Sequence, residues 1–340
     1  MNKYLVYLLV IVLLGFGLAA GMAAHHPTPG KLPPSKPPAA KTAAKPVDLA
    51  RVKPNEAGKV IILEYHDVGN KEGRWEREAS NFRADLQRLY KLGYRSVSLR
   101  DYINNNINTT AGTSPIILTF DDGTAGQFTY KNVNGRQIVD PNCAVGIMEE
   151  FAKTHPDWPL KATFYVYYPV PFRQKDLIEK KLRHIIDAGM DIGNHTYTHT
   201  RLDKDSDQAA AKEMALNVKS TLSYAPKAIV DSIALPYGKG PKNKSVLISG
   251  NYDGIKYHNI GALLVGAEPA PPPTDAKFNA YKLPRVQAIS SELDKWLGYF
   301  QRHPDKRYIS DGNPNTITVP KALASQVDRS KLGKKVLKVY

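Results

Sequence analysis

Apolar runs that end in polar residues or glycine recur along this chain, and between them hydrophobic positions fall at helical spacing. The first run, "KVIILEYHDV" at residues 59–68, reads as a buried strand with a polar end. "NFRADLQRLYKLGYRSVSL" then sets Phe82, Leu86, Leu89 and Leu92 on one helical face; Gly93 stops that helix, and "YRSVSL" follows as a strand. "SPIILTF" and "KATFYVYY" are two further buried strands, and the helix "KDLIEKKLRHIIDAG" again ends at a glycine, Gly189. A short strand "MDIGNH", a long helix "DQAAAKEMALNVKSTLSYA" and the strands "AIVDSIALPYG", "NIGALLVG" and "YKLPRVQA" complete the series. Strands alternating with amphipathic helices imply an α/β protein whose parallel sheet is covered by helices, either a barrel or a doubly wound layer. In both, chemistry gathers at the carboxyl ends of the strands.

The 340 residues begin with a segment of a different kind. Lys3 is followed by "YLVYLLVIVLLGFGLAAGMAA", which makes residues 1–24 a signal peptide or a membrane anchor. No cysteine follows the run, which argues against a lipidated anchor. Residues 25–58, rich in Pro, Ala and Lys, read as an extended spacer with too few apolar residues to fold. The folded domain is placed at 59–300 and a basic extension at 301–340. The expectation is an exported protein, secreted or held at the outer face of the cytoplasmic membrane.

A net charge of +15 on an exported chain favours anionic cell-surface polymers over nucleic acid as partners, and "DRSKLGKKVLKVY" carries a cluster of that charge. With Cys143 as its one cysteine the chain has no internal disulfide, and nothing around it suggests a nucleophile; a buried, inert thiol is expected.

Chemistry enters at the strand ends. "ILTFDDG" puts Asp121 and Asp122 side by side after an apolar run. Asp-Gly is ordinary turn chemistry, but two carboxylates closing a buried strand cost desolvation energy unless something binds them. "GNHTYTHT" sets His195 and His199 four apart, also after a strand. Two histidines with one carboxylate make a divalent-metal site that keeps positions open. If the turn at Gly123 brings both aspartates to the strand's mouth, one completes the metal triad and the other remains as a base for hydrolysis.

"TFDDG", "HTYTH" and "LPYG", in this order, resemble the polysaccharide deacetylases, the NodB-homology domain of carbohydrate esterase family 4, over roughly residues 59–290. The resemblance implies a distorted (β/α) barrel and metal-dependent removal of N-acetyl groups from a glycan containing N-acetylglucosamine, with metal-bound water as nucleophile. It makes Asp121 the catalytic base, gives the metal to Asp122, His195 and His199, and lets the backbone N–H of Tyr237 help to stabilise the oxyanion. The metal would be zinc foremost, with cobalt, nickel or iron compatible. The substrate would be poly-N-acetylglucosamine, peptidoglycan or a chitin-like polymer.

Two features depart from the family pattern. An arginine usually stands two residues before the proline of "LPYG", where it orients the base; here that position is Ala234. Arg285, in "KLPRV" at another strand end, is the candidate replacement. The late histidine that serves as general acid is also absent, and the match lies early, in "LEYHDV". That permuted order resembles the poly-N-acetylglucosamine deacetylases and makes His66 the general acid. Asp67 either orients the His66 ring or starts a turn. Residues 124–158 read as a surface excursion, with a lid or substrate wall as the alternative, and Tyr165, Tyr167 and Tyr168 as sugar-stacking or core residues.

Two other readings compete. A catalytically impaired, deacetylase-like glycan-binding protein would account for Ala234. A barrel glycosidase would need two carboxylates flanking a bond, which adjacent aspartates cannot do, and it leaves the histidines unexplained.

Overall fold

The computed structural model describes residues 47–340. The signal or anchor expected at residues 1–24 and most of the spacer lie outside the described residues. Among those described, no helix is long and apolar enough to cross a membrane.

Eight parallel strands build the principal sheet: β1 (Ile61–Tyr65), β2 (Tyr94–Ser96), β3 (Ser114–Phe120), β4 (Thr163–Val166), β5 (Asp191–Asn194), β6 (Ser232–Ala234), β7 (Gly261–Leu263) and β8 (Val286–Gln287). Their spatial order is β7-β6-β5-β4-β3-β1-β8, with β2 paired to the opening of β3. The sheet curls, and a parallel bridge from Leu263 to Leu283 ties β7 to the segment entering β8. Of the two arrangements that the strand–helix alternation left open, the chain adopts the distorted (β/α) barrel implied by the resemblance.

Strand alternation sorts the side chains. Ile61, Leu63 and Tyr65 of β1 face an outer core beneath the helices α1 (Ala79–Lys91), α2 (Ala144–Thr154), α3 (Ile178–Asp187) and α5 (Ser290–Arg302), while α4 (Asp207–Tyr224) covers a separate cluster with Ile233 of β6 and Ala262 of β7. Val60 and Ile62 belong instead to an inner cluster with Ile117, Tyr165 and Leu283. Across three strands Tyr65, Phe120 and Phe164 lie in register and stack, with ring centroids 5.1 and 4.8 Å apart. Each buried ring contributes about 1.5–3 kcal/mol. The stack also fixes the level at which the strands end, so His66 and Asp121 emerge side by side.

Three boundary expectations change. The spacer does not run to residue 58: Asn55, Glu56 and Ala57 are buried, and Asn55 exchanges backbone hydrogen bonds with Ile309. Residues 301–340 are not a loose basic extension. They carry β9 (Thr316–Val319), paired in parallel with β10 (Val336–Val339), and Ile317 and Val319 pack on Ala57 in a separate small core. Glu56 joins the two chain segments by accepting the Thr318 backbone N–H at 2.7 Å. Residues 124–158, expected at the surface, do carry an exposed hairpin, Tyr130–Val133 paired with Arg136–Val139, but they also bury Phe128, Ile147, Met148 and Trp158 in the outer core. Polar composition concealed this because α2 is amphipathic. Cys143 is buried there, its sulfur at the N-terminus of α2 and 3.5 Å from the Gly146 N–H.

Candidate active site

Asp121 follows β3 with its side chain inside the barrel, 2% exposed. Arg285 grips it with a two-pronged contact, Nη1 to Oδ1 at 2.8 Å and Nη2 to Oδ2 at 2.7 Å. The guanidinium is itself fully buried, donates to Thr119 Oγ1 at 3.1 Å and, through Nε, to the Leu264 carbonyl at 2.7 Å. Such a fork is the strongest form of charge-assisted hydrogen bond. Burial pushes the Asp121 carboxyl upward, but the charge and hydrogen bonds of Arg285 outweigh it and hold it below the usual range. Arg285 therefore makes the contact to Asp121 that Ala234 cannot make, entering from the start of β8 and through the interior.

Asp122 leaves the strand in a left-handed conformation, φ +80°, followed by Gly123 at φ +57°. That turn removes it from the alternation, so two neighbouring carboxylates reach one mouth instead of opposite faces. Asp122 Oδ1 lies 3.3 Å from Nε2 of His195 and 3.3 Å from Nε2 of His199. His195 is buried at the end of β5, and its Nδ1–H donates to the Ala234 carbonyl at 2.8 Å, which leaves the Nε2 lone pair facing Asp122. His199 stands on a turn with φ +59°. Helix α4 holds that turn: Glu213 accepts the backbone N–H groups of Tyr197 and Thr198, and Asn217 donates to the Thr196 carbonyl.

Two acceptors facing each other repel unless a proton or a cation lies between them. Burial lowers the His195 imidazole, while Asp122 and Asp121 raise it further, so without an ion the site itself attracts positive charge. Burial likewise raises the Asp122 carboxyl, and its hydrogen bonds to His195 and His199 pull it far below normal. A tetrahedral ion with bonds of about 2.0–2.1 Å sets its ligands about 3.3–3.4 Å apart. The two observed separations match that spacing, so the donor set fits a divalent cation.

His66 follows β1 and packs against Trp75, ring centroids 4.5 Å apart. It lines one cavity of about 510 Å³ with Asp121, Asp122, His195, His199 and Tyr237. Tyr237 is 58% exposed at the rim, holds φ +57° and sets its ring 5.0 Å from that of His199. The expected site residues His66, Asp121, Asp122, His195, His199 and Tyr237 thus meet at one mouth, with Arg285 behind Asp121 in the interior. Asp67 does not orient the imidazole; its Oδ1 takes the Val68 N–H and the Thr124 hydroxyl and fixes a turn. Tyr165 and Tyr168 are core residues, whereas Tyr167 lies beside His199 at 5.3 Å.

Sequence reasoning missed Trp75, whose indole walls the cavity, and Glu64, whose side chain is wholly buried inside the barrel 4.0 Å from His66 Nε2. Glu64 had a visible signal, a carboxylate within the unbroken apolar run of β1.

Asp122, His195 and His199 form a donor set that could hold a cation, beside a carboxylate held by Arg285. Residues 108–257 match the family model for polysaccharide deacetylase. The chitooligosaccharide deacetylase of Bradyrhizobium sp. (strain ANU 289) is 24% identical over 136 residues, 40% of this chain and 52% of that protein, so the chain spans about half the length of this curated relative. Among solved structures, the Streptococcus pyogenes deacetylase PplD in complex with acetate superposes with a TM-score of 0.52 at 18% identity, covering 68% of this chain and 92% of its own. IcaB from Ammonifex degensii gives 0.51 at 17% identity, covering 72% and 97%. Both likenesses speak for the fold. Over residues 108–257 the chain is thus similar to the polysaccharide deacetylases of the NodB-homology type.

Proposed function

We propose that this protein is an exported, metal-dependent polysaccharide deacetylase that hydrolyses N-acetyl groups on a glycan containing N-acetylglucosamine. The observation that carries the reading is the Asp122–His195–His199 cluster sharing one cavity with a second carboxylate, Asp121, that Arg285 keeps ionised. Asp122, His195 and His199 would hold the cation, with zinc foremost and cobalt, nickel or iron compatible. When bound, such an ion acidifies water and polarises an acetyl carbonyl. Asp121 takes the proton of the attacking water, and Arg285 positions it. The Tyr237 backbone N–H is assigned to the carbonyl oxygen as it gains charge. His66 returns a proton to the departing amine. The apolar run at residues 4–24 supports export, followed by secretion or retention at the outer face of the membrane. Acetylated polysaccharide is the partner, whether poly-N-acetylglucosamine, peptidoglycan or a chitin-like polymer, and the net charge of +15 suits anionic surface polymers around it. The binding-only alternative drew on Ala234, and the Arg285 fork removes that support.

The test is acetate release from N-acetylglucosamine oligomers and from peptidoglycan, with chelator, with restored Zn²⁺ or Co²⁺, and with Asp121→Asn. Release that stops with chelator, returns with the ion and is absent in the variant is expected. No acetate from folded, ion-loaded protein on either glycan would overturn the enzyme reading in favour of glycan binding alone.

A further inference from the structure

Glu64 is the one charged residue within β1, whose five positions are all buried. Strand alternation sends it inward with Ile62 while Leu63 and Tyr65 face the helices. Its Oε2 accepts the Gly266 N–H at 2.7 Å. Its Oε1 has no hydrogen-bond partner, although the side chain is wholly buried. That oxygen lies 3.4 Å from Arg285 Nη2 and 4.0 Å from His66 Nε2.

A buried, incompletely bonded carboxylate costs several kcal/mol, so its retention calls for a use. The ion pair with Arg285 Nη2 at 3.4 Å offsets part of that cost but leaves Oε1 without a hydrogen bond, because the guanidinium spends its fork on Asp121. What Glu64 adds is an acceptor for the imidazole. A modest rotation of the ring closes 4.0 Å to a hydrogen bond, and such contacts are commonly long before substrate arrives. Trp75 flanks the same ring at 4.5 Å, and Asp121 completes a compact group with Glu64 and His66.

We propose that Glu64 is a positioning residue for His66: it takes the Nε2–H and leaves Nδ1 to deliver the proton to the leaving amine. The inference rests on the deacetylase reading. In the step it serves, the C–N bond breaks, its electron pair goes to nitrogen, and nitrogen takes the proton from His66 as the imidazolium becomes imidazole. The proton that Asp121 removed from water balances the one His66 gave, so amide and water become amine and acetic acid.

The readout is leaving-group dependence. An N-acetyl sugar must expel an amine and needs that proton; 4-nitrophenyl acetate expels a stable anion and does not. In ion-loaded protein, Glu64→Gln is expected to lower the ratio of amide to ester turnover at least about tenfold, the lower end for losing general-acid help being about a hundredfold. In a His66→Ala background the same substitution is expected to leave the ratio where His66→Ala put it. Where Glu64→Gln yields no folded protein, Glu64→Asp, which withdraws the carboxylate by one methylene, enters the same double-mutant cycle with the same expected sign. Equal losses on amide and ester, or an undiminished effect without His66, would overturn the proposal and place Glu64 with Arg285 and Asp121. Wild-type protein inactive on every N-acetyl glycan would count against the deacetylase reading instead.

Discussion

Replacing Arg285 with glutamine tests the centre of the site. The substitution removes both hydrogen bonds to Asp121, at 2.8 and 2.7 Å, as well as those to Thr119 and the Leu264 carbonyl. Asp121, 2% exposed, then loses its guanidinium partner. Taking one partner from a buried ion pair costs about 3–5 kcal/mol, chiefly because the other charge remains desolvated. The carboxylate escapes by binding a proton: burial already pushes it upward, and the largest interaction that opposed burial is gone, leaving the weaker pull of His195 and His66. A protonated Asp121 accepts nothing from water, so acetate release at pH 7 should fall at least about a hundredfold, in the range for losing a general base. The direction with pH follows. A carboxyl whose value has risen regains its charge as pH increases, so the deficit should narrow between pH 7 and pH 9. Urea unfolding followed by tryptophan fluorescence supplies the stability, and acetate release at the two pH values the activity. A variant within about 0.5 kcal/mol of wild type, a shift typical of surface substitutions, with a deficit unchanged by pH would refute the reasoning.

Zn²⁺ or Co²⁺ added to chelator-treated protein should raise its Tm, because an ion that binds only the folded chain stabilises it by about 2.7 kcal/mol at a hundredfold excess over Kd. His199→Ala should remove most of that gain; an undiminished gain would move the ion away from Asp122, His195 and His199. Glu56 makes a separate prediction. Burial, then the neighbouring Asp311, raise its carboxyl from 4.5 to about 7. The folded chain therefore holds this proton to higher pH than the unfolded chain does. Its contribution is fullest below pH 4.5 and is lost as pH climbs through 7, on the order of 3 kcal/mol in all. Glu56→Gln should flatten the difference in urea midpoint between pH 5 and pH 8; an unaltered slope would exclude Glu56 as its source.

The strand series, the helix stops at Gly93 and Gly189 and the chemistry of Asp121, Asp122, His195 and His199 are local properties, and the chain alone determined them. Period-two and helical spacings record which side of each element is covered, and paired aspartates or histidines four apart carry their meaning over a few residues. Nothing local states which guanidinium meets Asp121. Arg285 lies 164 positions away, and many arginines in the chain had equal formal standing. Only closure of the barrel between β7 and β8 decided the partner, by bringing the buried Arg285 guanidinium within reach of Asp121 and Glu64. The turn at Asp122 likewise became interpretable once its positive φ showed how adjacent side chains converge. Closure also brought Glu64 to His66 and drew residues 55–58 and 301–340 into the domain, although their composition resembled spacer and tail. Composition measures how much apolar surface a segment owns. Whether Glu56 finds the Thr318 N–H across 262 positions depends on where the folded chain places its ends, and that only the tertiary structure decides.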